Sequence, residues 1–166
     1  GTACHMDRER SVLEGLLEVI ERDAIAITFL TDLRPPKLSE DVVERIFPDH
    51  VNTLRRVGLS PYVVDISLDT EIPCYLAVAT DNENQLSVGA GCDPSPKKAA
   101  EKALEETMAT YYYLTSSEQP TILSEDDITN LHDHMLYYQG NNHDILVDKL
   151  EEMRTVDRLR TPLAPG

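Results

Sequence analysis

The sequence has no run of about 18 apolar residues, so it holds no candidate membrane-spanning helix. Its opening residues include no long apolar stretch of the kind a secretory signal needs, which gives the expectation of a cytoplasmic protein. Bases are scarce: 15 Lys and Arg stand against 30 Asp and Glu, for a formal net charge of −15. Proteins that grip nucleic acid displace counterions with Lys and Arg, and anionic membranes ask for the same charges. Nucleic acid and membranes are therefore poor partners. Nucleotides stay open, because carboxylates reach phosphates through a shared Mg2+. The same acidity also serves as solubility chemistry or as a halophile's surface.

Paired cysteine motifs are missing too. Cys4 lies within Gly1 to Met6, which read as an expression scar, and Cys74 and Cys92 form no CxxC pair. Two free thiols in a reducing cytosol are expected. Val88-Gly89-Ala90-Gly91 lacks the Lys-Ser/Thr that completes a phosphate loop, and reads as a turn where glycine permits unusual dihedrals. His132-Asp133-His134 offers two imidazoles that do not share a helical face, with no third ligand evident, so a structural role is expected. Asp65 and Asp69 flank a turn and read as sheet-end caps.

What is present suffices for one compact domain: 166 residues, 41% of them hydrophobic. Leu13, Leu16, Leu17, Ile20, Ala24 and Ile27 recur at helical spacing between Ser11 and Leu30. Pro35 and Pro36 stop that helix. Residues 39–57 read as one or two short helices interrupted at Pro48 and capped by Gly58. At Pro61 the period changes: residues 61–67 and 72–80, rich in Val, Ile and Tyr, read as strands, and residues 86–90 as a short third strand. Leu68 to Glu71 and Asp81 to Glu83 make the turns of an antiparallel meander. Ser95 and Pro96 then open a helix whose apolar face is Ala99, Ala100, Ala103, Leu104, Thr107, Met108 and Tyr111. Ser124 with Asp127 starts another helix, Gly140 to Asn142 form a turn, and a last helix spans His143 to Val156. The fold expected is α/β (α+β), a mostly antiparallel sheet of about three strands packed with several helices. Residues 7–160 form the domain and residues 161–166 a flexible tail.

Four stretches carry a family likeness. They are LLEVIERDA from Leu16, VVDISLDTEIPCYLA from Val63, SVGAGCDPSPKKAAEKALEET from Ser87 and HDHMLYY from His132. In order and spacing they resemble the YcaO family, with its ERDA helix, its strand pair ending in IP-A, and its GxG loop leading into a helix. The resemblance implies an ATP- and Mg2+-dependent enzyme that phosphorylates a peptide backbone amide oxygen. A Cys, Ser or Thr side chain or an external sulfide then attacks, leaving an azoline or a thioamide. It implies a precursor peptide or protein as substrate, with room for a partner protein and for a homodimer.

Glu18, Glu21 and Arg22 share one face of the first helix, because positions three and four apart are neighbours there. Two carboxylates plus phosphate oxygens suit Mg2+, and an Arg fork suits phosphate. Read from pattern alone, the trio is a solvated face with an i,i+4 salt bridge; the resemblance implies that it holds Mg2+ and nucleotide. It implies the same for Lys102 and Glu106 on the later helix, with Glu18, Glu21 and Glu106 as metal ligands. Lys102 departs from the family's usual arginine, which loses bidentate geometry. Ala109 and Tyr111 stand where many members carry Gln and Arg. Glu14 extends the carboxylate face but matches no motif and reads as a surface residue. No catalytic residue is assigned.

A full YcaO domain is far longer than this chain, so the resemblance covers its central part. Two functions follow: a fragment of the cyclodehydratase, with negligible ATPase activity alone, or a degenerate, non-catalytic module that binds a partner peptide or protein. In the first, the two charged sets converge in space although some eighty residues separate them, because one Mg-triphosphate must reach both.

Overall fold

The computed structural model describes residues 6–31, 33–81, 86–116, 124, 126, 128, 133, 136–137 and 143–161. Asp127, the 140–142 turn, His132, His134, residues 82–83 and residues 162–166 lie outside them.

Helix α1 runs Arg8–Leu30, and the Asp7 side chain accepts hydrogen bonds from the N–H groups of Glu9 and Arg10. A two-residue strand β1 (Lys37–Leu38) leads to α2 (Glu40–Ile46) and α3 (Pro48–Arg56). Pro48 separates the two because it suits a helix's first turn and cannot continue the one before. Gly58 follows at φ 88°, a conformation open to glycine as a helix stop. Strands β2 (Ser60–Asp65), β3 (Cys74–Thr80) and β4 (Leu86–Cys92) form the expected antiparallel meander. Helix α4 covers Pro96–Ser116, helix α5 His143–Glu152, and strand β5 Thr155–Val156.

The sheet has five strands in the order β4-β3-β2-β1-β5. The two extra strands have two residues each, too short for a periodic signature, and β5 pairs with β1 in parallel. The last helix therefore ends at Glu152, short of the expected Val156. Helices cover both faces. Val42 and Val43 of α2, Val51 and Leu54 of α3 and Phe47 between the two helices join Ala99, Ala100, Ala103 and Leu104 of α4 against Val63, Tyr75, Ala77 and Ala79. On the other face, Leu17, Ala24 and Ile25 of α1 and Leu146 and Leu150 of α5 meet Val64, Cys74, Leu76, Val78, Ala90 and Cys92. A strand covered twice has no solvent side, which is why all seven residues of β3 are buried.

The apolar stripe of α1 is only partly used. Leu17 and Ala24 are buried, but Leu13 and Leu16 remain 46% and 55% exposed. Length explains this: at about 1.5 Å per residue α1 is roughly 35 Å long, while a seven-residue strand reaches only about 23 Å. The first turns of α1 overhang the sheet.

Helix α4 lies unusually close to β4. A Cβ on Gly89 would sit 2.3 Å from the Thr107 nitrogen and 2.5 Å from the Ala103 oxygen, and one on Gly91 2.2 Å from the Ala99 oxygen. These glycines are not in a turn, as the sequence pattern had implied; neither is a positive-φ residue. They are strand residues that let two backbones touch. Ser87 and Thr107 lock the same contact, Ser87 Oγ donating to the Thr107 carbonyl at 2.6 Å and Thr107 Oγ1 to that of Ala77 at 3.2 Å. Gly89→Ala must push α4 outward, and is expected to destabilise the chain by about 1–3 kcal/mol in urea unfolding. Unchanged stability would show that α4 is not seated on the strand.

Candidate functional site

Among the described residues, strand β4 is an edge of the sheet. Its register, with Tyr75 opposite Gly91 and the Asp93 N–H bonded to the Pro73 carbonyl at 3.1 Å, directs its odd-numbered residues' backbone groups to β3. The even-numbered ones point outward, where side chains from both neighbouring helices meet them. The Ala90 N–H donates to Glu106 Oε2 at 2.8 Å, and Lys102 Nζ donates to the Cys92 carbonyl at 3.4 Å. From α1, on the opposite face, the Glu21 carboxyl faces the Cys92 backbone and lies within electrostatic reach of Glu106 and Lys102. Two helices on opposite faces thus bring their charges together around one strand edge.

The structure therefore gathers Glu21, Lys102 and Glu106, and Glu18 lies within electrostatic reach of Glu21. It does not bring Arg22 in by any described contact. That guanidinium pairs with Glu18 at 2.6 Å and is 72% exposed. Two residues escaped the sequence reading. Glu14, expected to be a surface residue, has Oε2 3.8 Å from Lys102 Nζ, and Asp93 Oδ2 lies 3.3 Å away. Glu14 sits one helical turn before Glu18, a signal that was available; Asp93 reads as a strand breaker, and only the fold turns it toward Lys102. Tyr111, at a position where the family often has a donor, packs against the core. Asp65 caps the end of β2, accepting from the Ser67 N–H at 3.0 Å.

The cluster is short of positive charge. The Glu21 carboxyl is pushed up to about 7, first by burial, then by Glu106. The Cys92 backbone and the Lys102 charge oppose the rise, and Glu18 adds to it. Oxygen donors that repel each other at a half-buried site fit a hard divalent cation. Among the described residues no three His, Cys, Asp or Glu side chains are placed to enclose a metal on their own. That suits Mg2+, which keeps waters and takes phosphate oxygens beside one or two carboxylates.

The raised pKa makes stability depend on pH. Between about 4.5, the ordinary value, and about 7 the folded chain holds a proton that the unfolded chain has lost. Stability therefore falls as pH rises through that window. With no metal added, Glu21→Gln is expected to be more stable than the parent at pH 8 by about 1–2 kcal/mol, solvent screening included, and equal to it at pH 4. Urea unfolding at both pH values checks this; a variant less stable at pH 8 would mean that the Glu21 charge is already well compensated.

Residues 1–163 match the family model described as YcaO cyclodehydratase, ATP- and Mg2+-binding. An uncharacterised protein from the tfuA 3' region of Rhizobium leguminosarum bv. trifolii is 31% identical over 121 residues, 64% of this chain and 28% of that protein. The chain thus spans under a third of that relative's length. The E. coli microcin synthetase McbBCD complex with pro-MccB17 bound contains a similar fold, with a TM-score of 0.67 and 19% identity over 98% of this chain and 42% of that one. YcaO from Methanopyrus kandleri bound with AMPPCP and Mg2+ has a TM-score of 0.59 and 21% identity, covering 91% of this chain and 38% of that one. The chain belongs to the YcaO cyclodehydratase family.

Proposed function

We propose that this chain is the central part of an ATP-dependent enzyme that activates backbone amides of a ribosomal peptide or protein, forming azolines or thioamides. The observation that carries the reading is the meeting of Glu21 and Glu106, from opposite faces of the sheet, at the edge of β4. Two similar folds add weight: the M. kandleri protein was bound with AMPPCP and Mg2+, and the E. coli complex with pro-MccB17.

When bound, Mg-ATP supplies the phosphoryl group that makes an amide oxygen a leaving group. Glu21 and Glu106 are the metal's carboxylate ligands in this reading, with Glu18 beside them. The Ala90 and Cys92 backbones orient the first two, so little side-chain freedom is left to lose on binding. Lys102 is held toward the same edge by Asp93 and Glu14 and offers a point charge to phosphate. Arg22 joins only by exchanging Glu18 for phosphate. The attacking group comes from the substrate or an external sulfide, and no nucleophile is assigned to this chain.

A second reading, a non-catalytic module that binds a partner peptide or protein, is favoured by Tyr111 facing the core and Arg22 facing solvent. Calorimetry with Mg-AMPPNP separates the two. The first reading expects weak binding, roughly millimolar, weakened at least tenfold by Glu21→Gln and by Glu106→Gln, each about 1.4 kcal/mol or more. ATP turnover by the chain alone is expected to be negligible. Binding that both variants leave intact would remove the nucleotide from this edge.

A further inference from the structure

The thiol side chains of Cys74 and Cys92 have no role in the proposed nucleotide site, and the fold sets them face to face. We propose that they are a disulfide site, linked reversibly across β3 and β4 by a low-molecular-weight disulfide. The two residues are direct register partners. The bond from the Asp93 N–H to the Pro73 carbonyl puts them at a non-hydrogen-bonded position of the ladder. Such positions bring Cα atoms to about 4.5 Å, inside the roughly 4.4–6.8 Å span of disulfides. Both are free and buried on the α1 face. Eighteen residues of sequence hide this pairing; only the register reveals it.

The exchange takes two steps. One protein thiolate attacks a sulfur of the small disulfide, forming a mixed disulfide and expelling one small thiolate, which takes up the released proton. The second protein thiol, as thiolate, attacks the protein-side sulfur of that mixed disulfide and expels the second small thiol. Two protein thiols lose two electrons and two protons, and the small disulfide gains them. In the closed fold the reaction is slow, because the neighbouring Cys92 and burial push the Cys74 thiol well up. Access comes through β4, which opens by parting from one strand only. Because Cys92 is also the residue whose backbone faces Glu21, the link would fix the strand beneath the carboxylate site.

The test does not depend on nucleotide binding. The Cys4→Ser chain is held in excess glutathione disulfide at pH 8, then denatured and alkylated. The expected product has lost two hydrogens in mass and both alkylatable thiols, yields a linked Cys74–Cys92 peptide pair, and returns to the starting mass with dithiothreitol. Adding Cys92→Ser should abolish the intramolecular link and leave at most one mixed disulfide. Two alkylatable thiols after prolonged oxidation, or glutathione adducts without an internal link, would overturn the proposal.

Discussion

Among the described residues the sheet ends at β4, and the chain treats that edge in a particular way. Edge strands carry unpaired N–H and C=O groups that must be satisfied or shielded. Here carboxylates and a lysine from two helices do it: Glu106 accepts from Ala90, Lys102 donates to Cys92, and the Glu21 carboxyl faces the Cys92 backbone. The arrangement depends on how near α4 can come. Gly89 and Gly91 remove the two Cβ atoms that would hold it away, so Glu106 reaches the strand and still faces α1. Fold and site are thus one constraint, since the contact that seats the helix also aims its charges.

The elements with strong periodicity were legible in the sequence. The 3.6-residue stripes of α1 and α4 and the three Val- and Tyr-bearing strands lie where the pattern put them, because burial of one face selects each period. Two-residue strands were not legible, since pairing and not pattern defines β1 and β5. The glycines of β4 looked like a turn because glycine has two uses, unusual dihedrals and close approach, and local sequence does not separate them. Leu13 and Leu16 looked like core because periodicity reports a helix face without the extent of the sheet beneath it.

At the site, local spacing placed Glu18 and Glu21 on one helix, and Lys102 and Glu106 on another. What it could not supply was the route by which the helices meet. They pack on opposite faces of the sheet and reach each other only around its edge. The partners of Lys102 were hidden for the same reason, Glu14 arriving from across the sheet and Asp93 from the end of β4. Arg22 shows the opposite case. Its i,i+4 partner Glu18 is near in sequence and takes the guanidinium, the outcome that helical spacing favours when nothing else competes.

The charge balance then ties stability to ligand binding. A chain with a net charge of −15 places further carboxylates at a half-buried edge, where Glu21 keeps its proton to about pH 7. Lys102 cannot offset them all, because Asp93 and Glu14 also draw on it. Such a site is strained toward a cation: whatever cation binds there favours the ionised Glu21, releases its proton, and stabilises the folded chain over the unfolded one. The same edge that a sheet must protect is therefore where this fold holds concentrated negative charge, the feature on which the proposed metal role of Glu21 and Glu106 rests.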